Sequence, residues 1–251
     1  MISYKSMSEI ETMRKSGRIV ALVLDHLSSK VKPGATTWDL EMYALDYLKT
    51  HEPHAIPAFK GYMGYPAALC VSINDEVVHG IPSPKRKIEN GDVVSIDFGV
   101  FYNGYVGDSA ITVIAGTGTP EAESLLKVTK ESLFEGIKQA KVGNHLHDIS
   151  AAVQSYVEAR GYSVVRELVG HGIGQSMHEA PQVPNFGEKG TGILIKPGLT
   201  IAVEPMVTMG SYDVTFLNDG WTAVTTDGSL AAHFEHSLAV TSQGTIILTE
   251  L

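Results

Sequence analysis

Four carboxylates stand in or against runs that otherwise read as buried strands. Asp97 lies within Val93-Val94-Ser95-Ile96-Asp97-Phe98, Asp108 heads Ser109-Ala110-Ile111-Thr112-Val113, Glu204 follows Ile201-Ala202-Val203, and Glu235 heads His236-Ser237-Leu238-Ala239-Val240. Period-two alternation sends Val94, Ile96 and Phe98 to one face and Asp97 with Ser95 to the other. An ionised carboxylate there is costly unless a cation or a donor meets it. Four brought together would also raise one another's pKa unless positive charge lay between them. Divalent metal answers both problems, and four acids suit two ions about 3.5–4 Å apart. The pattern alone fits equally well four solvated acids on edge strands.

The histidines tilt that balance. Gly170-His171-Gly172-Ile173-Gly174-Gln175-Ser176-Met177-His178 carries two of them among glycines, which permit close backbone approach to a bound group. A histidine flanked by glycines is poorly placed as core filler. His79, in Val77-Val78-His79-Gly80-Ile81-Pro82, ends an apolar stretch at a turn and is likewise a site candidate. His26, His51, His54, His145 and His147 fall in helices or their connections and read as solvated or capping. Alternation puts His233 on the side of Glu235 and His236 on the opposite face. Cys70, between Leu69 and Val71, reads as packing rather than as a nucleophile. No phosphate loop is present, and neither His178-Glu179 nor His233-Phe234-Glu235-His236 has the spacing of a zinc-protease motif.

The elements that must carry these residues occur twice. Apolar residues at Ile10, Met13, Ile19, Val20, Val23, Leu24 and Leu27 predict a helix over 8–28, and a second helix starts at Thr36 or Thr37. Strands over 93–100 and 109–114 flank Asn103-Gly104, a hairpin signal. From Pro120 the order repeats: helices over 120–140 and 146–160, then strands over 201–207 and 235–240. Gly34 stands five positions before Asp39 as Gly143 does before Asp148, and Gly91 stands six before Asp97 as Gly198 does before Glu204. Two equivalent halves, about 7–115 and 120–245, of one catalytic domain over 1–251 are the expectation.

Composition narrows the function classes. One cysteine among 251 residues excludes an internal disulfide, and the opening Met-Ile-Ser-Tyr-Lys has no secretory character, so a cytoplasmic protein is expected. The apolar run over 19–24 is far short of the roughly 20 residues needed to span a bilayer. A net charge of −9, with no basic cluster beyond Lys85-Arg86-Lys87, argues against nucleic acid as a ligand.

The ordered set Asp97, Asp108, His171, Glu204 and Glu235, with His79 and His178, resembles the five metal ligands and two accessory histidines of the methionine aminopeptidase family. The resemblance runs through most of the chain, in Asn74-Asp75-Glu76-Val77-Val78-His79-Gly80-Ile81-Pro82, Ser95-Ile96-Asp97, Gly107-Asp108, Gly170-His171-Gly172-Ile173-Gly174, Val203-Glu204-Pro205-Met206, Asp219-Gly220-Trp221 and Phe234-Glu235-His236. It implies an α+β pita-bread fold, pseudo-two-fold symmetric, its antiparallel sheet covered by helices. It implies the type I enzyme in its short bacterial form, because Glu204 and Glu235 lie too close for the helical insertion of type II relatives and little sequence precedes the first helix.

The implied cofactor is a pair of divalent ions drawn from Co, Mn, Fe or Zn, with Asp97 on one, His171 and Glu204 on the other, and Asp108 and Glu235 bridging. The implied reaction removes an N-terminal methionine ahead of a small second residue, by attack of a dinuclear-metal hydroxide on the scissile carbonyl. Glu204 would take the proton, His178 would donate to the carbonyl oxygen, and His79 would contact the peptide nitrogen. Phe59, Tyr62, Tyr65, Cys70, Met177 and Trp221 would form the methionine pocket. Against the family pattern, Met177 stands where phenylalanine is usual, Phe59 and Val78 replace frequent cysteines, and His233 holds a place often taken by glutamine. The implied partners are the N-terminal peptides of newly made proteins, with the ribosome as a further candidate, and the implied state is a monomer. Two other readings are a proline-specific aminopeptidase or dipeptidase of the same fold and a non-catalytic pita-bread binding module. The first normally carries a further N-terminal domain, for which nothing before Ser8 leaves room, and the second drops ligands where this chain keeps five.

Overall fold

A computed structural model describes residues 2–251. Helix α1 (Met7–Ser28) starts at a reciprocal cap: Ser6 Oγ accepts from the Glu9 N–H, and the Glu9 carboxylate accepts from the Ser6 N–H at 2.7 Å. Helix α2 (Thr37–His51) repeats the device with Thr36 and Asp39. Strands β1 (Ile56–Pro57), β2 (Leu69–Ile73) and β3 (Glu76–Val78) lead to the hairpin of β4 (Val93–Tyr102) and β5 (Tyr105–Ile114). Asn103 and Gly104 turn it with φ of 50° and 82°, the backbone that an Asn-Gly two-residue turn requires.

The second half opens with α3 (Pro120–Ile137) and α4 (Leu146–Glu158), both ending a few residues before the expected 140 and 160 as their last turns tighten. Short strands follow: β6 (Ser163–Val164), β7 (Gly170–Gly172), β8 (Glu179–Val183), β9 (Thr200–Val203), β10 (Met206–Thr208), β11 (Val214–Phe216), β12 (Ala223–Thr225) and β13 (Ala231–His233). Last come β14 (Glu235–Thr241) and β15 (Gly244–Ile247).

The main sheet runs β1-β4-β5-β14-β9-β7-β8, with β2 also on β4 and β15 also on β14, every pairing antiparallel. Its centre is the β5–β14 pair, one strand from each half, with β4 and β9 outside them. One face packs on helices. Val94, Ile96, Phe98 and Val100 meet Val20, Val23, Leu24 and Leu27 of α1 and Leu40, Ala44 and Leu48 of α2. Ile201, Val203, Leu238 and Val240 meet Leu133 of α3 and Leu146 and Ile149 of α4. The opposite face is left to Asp97 and its counterparts.

The duplication extends to single hydrogen bonds. Gly34 N–H donates to Ile88 O at 2.8 Å and Gly143 N–H to Ile195 O at 3.1 Å; Gly91 N–H donates to Ala115 O at 2.7 Å and Gly198 N–H to Val240 O at 2.8 Å. All four glycines have φ of 90–92°, which explains why glycine recurs at these places.

Two expectations are corrected. Asp108 does not head its strand but sits inside it, opposite Gly99, because the Asn103-Gly104 turn extends the ladder back to Tyr105. Glu204 is not within a continuous strand over 201–207: the ladder breaks at Glu204-Pro205, between β9 and β10, where proline has no N–H to donate. Both shifts leave the acids on the functional face.

Helix α1 crosses β5 at backbone contact, since a Cβ on Gly107 would lie 2.6 Å from Gly17 N and 2.7 Å from Ser16 C. Gly107→Ala is expected to lower unfolding stability by about 1–3 kcal/mol, read as a shifted urea midpoint, since backbone on both sides has to move apart. An unchanged midpoint would mean the helix is not held this closely to the strand.

Candidate metal centre

The strand pair at the sheet centre brings the acids together. Asp97 comes from β4, Asp108 from β5, Glu235 from the first residue of β14 and Glu204 from the break after β9. Buried hydroxyls clamp β5 to β14 and to the end of β13. Ser237 Oγ donates to Asp108 O at 2.7 Å, Ser109 Oγ to Glu235 O at 2.5 Å, and Thr112 Oγ1 to His233 O at 2.6 Å. The carboxylates are thus presented by backbone bonded from strand to strand and by side chains.

His171, in the middle of β7, points its Nε2 at the cluster, 3.9 Å from Asp108 Oδ2 and 3.6 Å from Glu204 Oε1. Its Nδ1 lies 2.9 Å from Gly172 O, which fixes the proton on Nδ1 and leaves the Nε2 lone pair facing the acids. Asp108, His171 and Glu235 each offer an atom within 4.8 Å of the others. His233 lies behind Glu204, its Nε2 3.7 Å from Oε2, and neither of its ring nitrogens has a hydrogen-bond partner. His236 turns away, as alternation requires, to Thr249 Oγ1 at 2.9 Å.

Electrostatics define the chemistry of the cluster. Burial pushes Asp97 up to about 7. Asp108 rises well above the carboxylate range through burial and the charges of Asp97 and Glu204; Glu204 does so through burial and Asp97, and Glu235 through burial and the other three acids. Burial holds His171 down at about 4 and His233 at about 3, so both are neutral at pH 7 and neither supplies compensating charge. Asp97 Oδ1, Asp108 Oδ1 and Glu235 Oε1 are buried without a hydrogen-bond partner. Unpartnered oxygens from three acids beside a neutral imidazole nitrogen are a donor set for divalent cation, and the residues fit it.

The cluster opens into a cavity of about 600 Å³. Phe59, Tyr62, Tyr65, Cys70, Met177 and Trp221 line it, together with His79, Asp97, Asp108, His171, His178, Glu204 and Glu235. Tyr65 meets Trp221 edge to face at 5.1 Å and anchors its hydroxyl on Gly80 O at 3.0 Å. Trp221 sits in a turn tied by Asp219 Oδ1, which accepts the Trp221 and Thr222 N–H at 2.8 and 2.9 Å. His79 leaves β3 with φ of 62°, a conformation a non-glycine residue holds only under constraint, and the turn aims its ring at the cavity. His178 stands over His171 with centroids 4.3 Å apart, its Nδ1 2.7 Å from the Tyr62 hydroxyl. Every residue expected at the site from sequence reaches this one cavity. Met63, Glu167, Leu168, Gln182 and Met206 line it as well and were not anticipated, because they stand in loops and short strands without a periodic signal.

This combination of a duplicated antiparallel sheet with acids from both halves meeting at its centre defines a pita-bread metallopeptidase. The chain belongs to metallopeptidase family M24, whose model matches residues 11–242, and it binds divalent metal as that family does. Within the family it is similar to methionine aminopeptidases: it is 51% identical to that of Clostridium acetobutylicum over 99% of each chain. The crystal structure of methionine aminopeptidase from Thermotoga maritima superposes with a TM-score of 0.97 at 46% identity, covering 100% of both chains. An Xaa-Pro dipeptidase from Bacillus anthracis shares the fold, with a TM-score of 0.78 at 23% identity, and this chain covers 62% of it.

Proposed function

We propose that residues 1–251 act as one catalytic unit, working in the cytoplasm on newly made proteins, and remove N-terminal methionine when the next residue is small. The observation that carries this reading is the juxtaposition of the unpartnered Asp97, Asp108 and Glu235 oxygens with a pocket lined by aromatic and thioether side chains. Asp97, Asp108, His171, Glu204 and Glu235 would hold two divalent ions. Ions so held lower the pKa of water toward neutrality and polarise a carbonyl.

The chain's own groups supply the rest. Glu204, its Oε1 3.6 Å from His171 Nε2, would accept the proton in its ionised form, which bound cations favour by offsetting the burial and the Asp97 charge that otherwise raise its pKa. His178 has its pKa lowered by burial and its Nδ1 2.7 Å from the Tyr62 hydroxyl; with that hydroxyl as the donor, its N–H would stand on Nε2 to meet an oxygen as charge develops. His79, lowered by burial and by His178, is a second neutral ring for the peptide nitrogen. Phe59, Tyr65, Cys70 and Met177 are buried around the pocket, where an unbranched thioether side chain gains sulfur–ring contacts.

The protein supplied with a divalent metal is expected to release methionine from Met-Ala-Ser and not from Met-Leu-Ser or acetylated Met-Ala-Ser, measured by chromatography of the products. Preferential cleavage of Ala-Pro peptides would replace this reading with the proline-specific one. Folded, metal-loaded protein inert toward all of them would replace it with a binding module.

A further inference from the structure

Lys5 is 7% exposed although its neighbours Ser3, Tyr4 and Ser6 are exposed. Lysine is almost never buried without a partner, and here the partner is Glu179: Nζ forms an ion pair with Oε2 and also lies 3.3 Å from Ser3 O. The main chain is fastened at the same point, the Lys5 N–H donating to Gly198 O at 2.7 Å. The other oxygen of Glu179, Oε1, accepts the Ser176 N–H at 3.2 Å. One carboxylate therefore ties the N-terminal arm to both ends of the 176–179 turn, and the two residues inside that turn are Met177 and His178.

Gly174 has a purpose in the same arrangement. A Cβ there would overlap Lys5 Cε and Glu179 Oε1, so this glycine of the Gly170–Gly174 segment makes room for the ion pair. The turn is braced on its far side too, by Val106 N–H donating to Gly174 O at 2.8 Å.

We propose that Lys5 is a positioning residue: acting through Glu179, it holds the 176–179 turn so that His178 faces the reacting carbonyl. This rests on the role given to His178 above. Without Lys5, Glu179 keeps a partly buried charge with no cation beside it and is drawn toward water, which releases the Ser176 end of the turn. A small displacement of a group that acts on developing charge falls on turnover rather than on substrate capture.

The test is steady-state hydrolysis of Met-Ala-Ser by the full-length, metal-loaded protein. Lys5→Met is expected to lower kcat roughly tenfold with KM changed less than about twofold, and Lys5→Arg to recover most of the loss. Lys5→Met combined with His178→Ala is expected to be no slower than His178→Ala alone, since both remove the same interaction. Glu179→Gln, which keeps an acceptor for Ser176 but discharges the pair, carries the same comparison should Lys5→Met fold poorly. Losses that multiply in the double variant, or an unchanged kcat in Lys5→Met, would overturn the proposal. A His178→Ala variant with unchanged kcat would instead remove the role assigned to His178 itself.

Discussion

Glu204→Gln is expected to cut kcat for Met-Ala-Ser by at least about 10³-fold and to leave a folded protein that still takes up metal. Glutamine has nearly the shape of glutamate and keeps a carbonyl oxygen toward His171, but it accepts no proton. The substitution also takes a charge out of a cluster in which Asp108 and Glu235 both feel Glu204, so the metal-free fold should gain stability at alkaline pH rather than lose it. Loss of turnover with unchanged metal stoichiometry, read by elemental analysis of the dialysed protein, separates the proton acceptor from a mere ligand. Retention of more than about a tenth of the activity would take the base role away from Glu204.

The sequence reached the face of the sheet that carries chemistry by local rules. Asn103-Gly104 and the capping residue Thr36 act within four residues, and the four glycines near φ 90° repeat because each half needs the same turn. Val94, Ile96 and Phe98 are fully buried on the helix side, which leaves Asp97 for the other. Local rules failed where distant parts of the chain decide. Pro205 breaks a ladder that apolar alternation continues through, and Asp108 is carried into its strand by pairing across the hairpin. The hydroxyl clamp of Ser109, Thr112 and Ser237 joins residues more than 120 apart in sequence, and the Lys5–Glu179 pair spans 174. No spacing rule encodes such partners. The pocket residues Phe59 and Tyr62, in the one segment between β1 and β2, and Met177 and Trp221, in two further loops, became legible through family resemblance alone.

Removing metal with a chelator is expected to abolish turnover and to make thermal stability depend on pH in a stated direction. Asp97 is raised to about 7, and Asp108, Glu204 and Glu235 are raised above their ordinary range, each by burial first. A carboxyl whose folded pKa exceeds its unfolded value near 4 contributes stability that is complete at low pH and lost as pH rises through the folded value. Lowered histidines act oppositely: His171 at about 4, His233 at about 3 and His236 at about 4 erode stability as pH falls below about 6.5, where the unfolded chain takes up their protons first. Above pH 7 the histidines are neutral in both states, and the acids govern together with Cys70, whose thiol is also raised by burial and acts in the same direction. Each proton still held by the folded cluster then costs roughly 1.4 kcal/mol per pH unit, or about 2–4 °C in Tm for a chain of this size. The chelated protein should therefore melt several degrees lower at pH 9 than at pH 7. With metal restored, cations replace those protons and the slope should flatten, so that the increment in Tm on adding metal grows with pH. Scanning calorimetry at fixed ionic strength measures both series. A Tm of the chelated protein that stays level from pH 7 to pH 9 would mean that the four acids do not share one buried site.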